Sequence, residues 1–202
     1  MRKTKIAVLV SGGGTNLQAL IDAQGSTLVS GEIALVVANN ANAYALERAK
    51  KAGIETAVVL KKELGSQEAF EAKLKEILTE HGIEVIILAG FMTILTENFT
   101  SCYPKRILNV HPSLIPSFCG AGFYGLKVHQ AALDYGVKVT GATVHFVNEI
   151  PDGGEIIAQK AVEILPGDTP EVLQRRVMEQ AEWILLPQAA ETVCARLNKQ
   201  TN

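Results

Sequence analysis

Apolar, β-branched runs alternate with amphipathic helical runs through the first half of the chain, and this rhythm leaves few folds open. "KIAVLV" (5–10), "IALVVAN" (33–39), "TAVVL" (56–60), "EVIILAG" (84–90) and "RILNV" (106–110) read as strands. Between them, "TNLQALIDAQ" (15–24) sets Leu17, Leu20 and Ile21 on one helical face, and "AYALERAKKAG" (43–53) is a second helix stopped by Gly53. "QEAFEAKLKEILTEHG" (67–82) is the clearest amphipathic helix, with Phe70, Leu74, Ile77 and Leu78 inward and its Lys and Glu residues outward. Strands without a polar face belong to a parallel sheet covered by helices on both sides, with right-handed crossovers. The expected class is therefore α/β, with a Rossmann-like, doubly wound, mostly parallel sheet.

After residue 136 the rhythm changes. "GATVHFV" (141–147) and "EIIAQKAVEI" (155–164) flank the tight turn "PDGG" and predict an antiparallel strand pair, and one long helix over about 170–197 closes the chain. There is no internal repeat or low-complexity linker, and 202 residues fit a single domain, 1–202.

Composition excludes several classes. A formal charge of −2, with no basic block beyond "RKTK" at the start, argues against a nucleic-acid partner. No apolar stretch approaches a membrane span, and the first apolar run breaks into "SGGG" instead of a signal cleavage site. Three scattered cysteines (Cys102, Cys119, Cys194) without CxxC pairing predict reduced thiols in a cytoplasmic protein and no zinc site.

In open parallel sheets, ligands bind beyond the carboxyl ends of the strands. Those exits read "SGGGTN" (11–16), "NNANA" (39–43), "AGFMT" (89–93) and "NVHPS" (109–113), all small or hydrogen-bonding residues. "SGGGTN" runs straight into a helix, so its N–H groups make a pocket for an anion, most simply phosphate; the alternative is a glycine-rich turn without a ligand. The dinucleotide fingerprint fails at Leu17 and at Asn39 and Asn40, and there is no GK[ST]. Of the histidines, His81 reads as surface, His129 as packing or a cap in the first turn of a helix, and His145 as either core or catalytic. His111 stands apart: Pro112 keeps it out of helical geometry, and a stiff loop at a strand's carboxyl end can fix a general acid or base. Asp152 is one of four aspartates and sits in a turn. A carboxylate beside His111 would favour its imidazolium form, but nothing in the sequence brings the two together.

"SGGGTNLQALID", "LAGFMTIL", "LNVHPSLIPSF", "TGATVHFV" and "DGGEIIAQ" occur in this order and resemble the phosphoribosylglycinamide formyltransferases over essentially the whole chain. The resemblance implies the formyltransferase fold and transfer of formyl from 10-formyltetrahydrofolate to the amine of glycinamide ribonucleotide in purine synthesis, with no metal. It implies Asn109, His111 and Asp152 as the catalytic set. Gly14, Thr15 and Asn16 would hold the ribonucleotide's phosphate and ribose, with Glu182 at its glycinamide end. Met92, Thr93, Ile94 and Leu95, together with Asn148, Glu149, Ile150, Pro151, Asp152 and Asn109, would line the folate pocket, with Gln67 beside it. It also implies a monomer or homodimer acting on small molecules.

The sequence departs from the family pattern in places. Thr93 stands where an arginine is usual and Gln67 where some members have one, which bears on folate affinity and on polyglutamate preference. Trp183 replaces a histidine after Glu182, and the segment before Glu182 carries an extra residue. The loop "SFCGAGFYGLKVHQ" (117–130) is longer and more glycine-rich than in the shortest members. A formyltetrahydrofolate deformylase or a methionyl-tRNA formyltransferase would normally carry a further domain, so the chain's length disfavours both. A non-catalytic sugar-phosphate module would leave Asn109, His111 and Asp152 unexplained. A cysteine hydrolase using Cys119 has no identified base.

Overall fold

The computed structural model describes residues 2–200. Seven strands form one sheet: β1 (Thr4–Val10), β2 (Gly31–Ala38), β3 (Glu55–Val58), β4 (Val85–Leu88), β5 (Ile107–His111), β6 (Val139–Phe146) and β7 (Ile156–Glu163). Their spatial order is β3-β2-β1-β4-β5-β6-β7. The pairs from β3 through β5 are parallel, and β6 runs antiparallel to both β5 and β7. The helices are α1 (Thr15–Ala23), α2 (Tyr44–Lys51), α3 (Lys61–Leu64), α4 (Gln67–Glu80), α5 (Glu97–Thr100), α6 (Leu126–Tyr135), α7 (Pro170–Val177) and α8 (Trp183–Gln200).

Strand alternation divides the core in two. Ile6, Val8 and Val10 of β1 face a cluster with residues of α1, α2, α7 and α8, while Ala7 and Leu9 face Phe70, Leu74 and Leu78 of α4 and Phe99 of α5. Both faces of the central strands are buried, which is why their middle stretches, Ile6–Val10 of β1 and Val85–Leu88 of β4, are apolar throughout. Winding reverses between β1 and β4, so the crevice beyond their carboxyl ends is the switch point where such sheets bind ligands.

Three local expectations are corrected. Glu71 does not point outward from α4: it is buried, and its carboxylate accepts hydrogen bonds from Thr96 N (2.7 Å), Thr96 Oγ1 (2.5 Å) and Gln67 Nε2 (2.7 Å). The β6–β7 connection is no tight turn but runs over 147–155. The closing helix is not uniform, because a π-helical turn at Met178–Glu182 separates α7 from α8. A π turn absorbs one residue beyond the α-helical repeat. Pro187, which cannot donate to the Trp183 carbonyl, follows within the next turn.

Candidate active site

Asn109 and His111 lie two apart on β5 and so project to the same face. Across the antiparallel pair, Asn109 stands opposite His145 and His111 opposite Thr143. The β6–β7 connection then returns Asp152 to these side chains. His111 Nδ1 lies 3.4 Å from Asp152 Oδ2, His145 Nε2 lies 3.5 Å from Asp152 Oδ1, and Asn109 Nδ2 lies 3.1 Å from His145 Nε2 and 3.4 Å from Asp152 Oδ1. The four side chains form one cluster, with both imidazoles buried.

Backbone geometry aims the aspartate. Asp152 adopts φ of 56°, a left-handed conformation that aspartate tolerates better than most residues. Nearby, Gly154 packs so tightly on the end of β6 that a Cβ would lie 1.8 Å from the Phe146 carbonyl oxygen, so no other residue fits without moving the strand. Burial alone would raise the Asp152 carboxyl. The hydrogen bond from His145, the N–H of Gly120 at 2.8 Å, and the nearness of His111 outweigh it and hold the group below its ordinary value. The carboxylate is therefore ionised at neutral pH.

The loop after His111 closes over this pair. Thr143 Oγ1 donates to Ser113 O at 2.7 Å and accepts from Ile115 N at 3.1 Å, while Gln159 Nε2 donates to Ile115 O at 2.9 Å. Ser113 Oγ donates to Ser117 O at 2.6 Å. Anchored this way, the loop sets the Phe118 carbonyl 2.9 Å from His111 Nε2 and the Gly120 N–H on Asp152. His129, buried in α6, has no hydrogen-bond partner on either ring nitrogen, and burial together with the charge of His111 pushes it down to about 4. It is a neutral packing residue at physiological pH. His81 is half-buried, held between the Ile77 carbonyl at 2.7 Å and Glu55 at 3.1 Å, far in sequence and function from the cluster.

A cleft of about 110 Å³ opens beside the cluster, lined by Thr93, Ile94, Leu95, Asn109, Asn148, Ile150, Pro151 and Asp152, along with Leu88, Phe91, His145 and Val147. Three residues grouped with it by the sequence lie elsewhere. Met92 is exposed and held by its N–H on Ser11 Oγ at 2.9 Å. Glu149 lines a separate surface depression with Lys105. Gln67 donates to Glu71 and to the Ile94 carbonyl (3.1 Å), supporting the lining from behind.

The glycine loop forms the other half of the crevice. Gly14 begins α1 with φ of 72°, and a Cβ there would meet Ala45 Cβ at 2.6 Å, so both conformation and packing against α2 require glycine. The Gly12 carbonyl accepts from Ala45 N (3.0 Å) and the Gly13 carbonyl from Arg48 Nε (2.8 Å). Thr15 Oγ1 lies 3.8 Å from Met178 Sδ. Asn16 Nδ2 donates to Glu182 Oε2 at 2.7 Å, joining the loop to the π turn. Burial pushes the Glu182 carboxyl up to about 7, against the opposing hydrogen bond from Asn16. Among the described residues, no cluster of His, Cys, Asp and Glu could hold a metal ion, and no helix is long and apolar enough to cross a membrane.

Sequence reasoning missed one member of the cluster's core, having left His145 undecided. The signal was available in the pairing of "LNVH" with "TVHFV", which places His145 opposite Asn109 once the two strands are read as antiparallel.

Residues 4–189 match the family model described as formyl transferase. The chain is 46% identical over 193 residues to the trifunctional purine biosynthetic protein adenosine-3 of Gallus gallus, covering 96% of this chain and 19% of that protein. It is 44% identical to phosphoribosylglycinamide formyltransferase of Haemophilus influenzae, covering 87% of this chain and 81% of that one. Glycinamide ribonucleotide transformylase 1 of Symbiobacterium toebii superposes with a TM-score of 0.89 at 41% identity, covering 96% of this chain and 89% of the other. The chain thus spans about a fifth of its trifunctional relatives and most of its shorter ones. With its sheet order, its switch-point crevice and its Asn–His–Asp cluster, this chain belongs to the formyl transferase family, alongside the phosphoribosylglycinamide formyltransferases.

Proposed function

We propose that residues 1–202 act as one formyltransferase domain that moves the formyl group of 10-formyltetrahydrofolate to the amine of glycinamide ribonucleotide. The observation that carries the reading is the convergence of Asn109, His111 and Asp152 at the carboxyl end of β5 in a chain of this family. A phosphate on the N–H groups of the glycine loop and a pterin in the cleft beside Asp152 would bring amine and formyl carbon together over that cluster. In this reading Gly14, Thr15 and Asn16 meet the phosphate and ribose, and Glu182 meets the glycinamide end. The Thr93–Leu95 and Asn148–Asp152 segments meet the pterin.

The chemistry follows from the side chains. The amine nitrogen attacks the formyl carbon, and the carbonyl π electrons move onto oxygen to give a tetrahedral oxyanion. Asn109 Nδ2 donates to this oxygen. His111, whose Nδ1 faces the Asp152 carboxylate, donates from Nε2, where the formyl oxygen takes the place now occupied by the Phe118 carbonyl. Collapse of the intermediate breaks the carbon–N10 bond, and the proton lost by the amine ends on N10. The products are formylglycinamide ribonucleotide and tetrahydrofolate. His145 keeps Asp152 ionised and so acts through it. Both reactants are small molecules, the reduced thiols suit a cytoplasmic setting, and the reading requires neither a metal nor a nucleic acid.

Mass spectrometry of the ribonucleotide after incubation with donor labelled at the formyl carbon tests this. The label should appear on the glycinamide amine. Label recovered only as free formate would replace the transferase with a hydrolase.

A further inference from the structure

The Phe91–Leu95 segment has neither helical nor strand structure, yet it forms one wall of the cleft. It leaves the sheet after Ala89, whose N–H donates to Leu9 O at 2.9 Å. Beyond that point side chains from three other elements hold it. On one side α4 grips it, through Gln67 on the Ile94 carbonyl and Glu71 on Thr96. On the other side the grip comes from the exits of β1 and β2. Ser11 Oγ accepts the Met92 N–H at 2.9 Å, and Asn39 Nδ2 donates to Thr93 Oγ1 at 2.8 Å.

Ser11 is the residue immediately before the three glycines, and its own carbonyl accepts from Asn40 Nδ2 at 3.3 Å. Asn39 in turn is tied to β1 through its N–H on the Val10 carbonyl at 3.2 Å. The glycine loop is therefore fastened to the cleft wall directly by the Ser11–Met92 hydrogen bond, and the neighbouring exit of β2 by the Asn39–Thr93 bond. A serine hydroxyl that accepts from Met92 still has its own proton to donate, so an anion seated on the glycine loop can polarise and order the same hydroxyl.

We propose that Ser11 and Asn39 are positioning residues that couple the two substrate segments, so that ribonucleotide on the glycine loop tightens folate binding at the Thr93–Leu95 wall. The inference rests on the reading of those segments as phosphate and folate contacts. Ordering the wall on one binding event lowers the entropic cost of the second, and by linkage the effect is reciprocal.

The test uses the product tetrahydrofolate, which carries no formyl group and so forms a non-reacting ternary complex with glycinamide ribonucleotide. Calorimetric titration of wild type should show tetrahydrofolate binding at least about fivefold tighter with saturating ribonucleotide than without it. In Ser11→Ala and in Asn39→Ala the ratio should fall below about twofold, while in Asn39→Ala ribonucleotide alone binds within about threefold of wild type. Asn39→Asp should keep the coupling, because Thr93 Oγ1 can reverse and donate to the carboxylate. Thr93→Val, which removes the same hydrogen bond from the other partner, should match Asn39→Ala and shows that the effect does not depend on one variant's folding. Equal affinity with and without ribonucleotide in wild type, or full coupling in the alanine variants, overturns the proposal alone. Wild type that binds neither compound overturns the site reading with it.

Discussion

Glu182→Gln isolates the energetic consequence of burying a carboxyl group in the π turn. Glu182 is 6% exposed, and Asn16 Nδ2 at 2.7 Å is the donor that reaches it. Burial moves it from an ordinary value of 4.5 to about 7. Between these values the unfolded chain releases the proton while the folded protein keeps it, so stability is intact below about pH 4.5 and falls as pH rises toward 7. Each pH unit of separation is worth about 1.4 kcal/mol, so the total loss approaches about 3 kcal/mol. Glutamine has the same shape, accepts from Asn16 equally well and never ionises. Urea unfolding of both proteins from pH 4 to pH 8 should give similar stabilities at the acid end and about 3 kcal/mol in favour of Glu182→Gln at pH 8. All other titrating groups are common to the pair and cancel in the difference. Parallel curves across the whole range would refute the claim that Glu182 is held as a buried neutral acid.

Other outcomes follow from the same geometry. His129, held at about 4 against an ordinary 6.5, stays neutral in the folded protein while the unfolded chain takes up a proton, so it costs stability as pH falls below 6.5; His129→Leu should flatten the acid limb of the same urea series by up to about 3 kcal/mol. Asp152→Asn removes the carboxylate that faces His111 Nδ1 and orients the ring, and should lower kcat by about 10² or more, with KM for the ribonucleotide nearly unchanged in steady-state assays. Gly14→Ala meets both a positive φ and the Ala45 side chain and should lower stability by about 2–3 kcal/mol, read as a fall in the urea midpoint.

The centre of the sheet was legible because its strands are apolar and β-branched, as in "EVIILAG", where Val85–Leu88 are all buried. The helices at Thr15, Tyr44 and Gln67 were legible from spacing. What spacing cannot show is a polar group satisfied from far along the chain. Glu71 occupies a position that periodicity assigns to solvent, and its burial depends on the N–H and hydroxyl of Thr96, 25 residues away. The helix over Leu126–Tyr135 was drawn only through His129, because the glycine-rich segment before it hides its start. Asn109 and His111 could be singled out from "NVHPS", whereas their meeting with Asp152 depends on the path of residues 147–155, and no local pattern encodes that path.

The central claim is that the Asn109–His111–Asp152 cluster passes a formyl group to a ribonucleotide amine. The direct test follows loss of formyl from 10-formyltetrahydrofolate with and without glycinamide ribonucleotide, in wild type and in His111→Ala. Wild type should turn over only when the ribonucleotide is present, and His111→Ala should be slower by about 10²–10³. Turnover of similar rate without the ribonucleotide, or full activity in His111→Ala, would contradict the account.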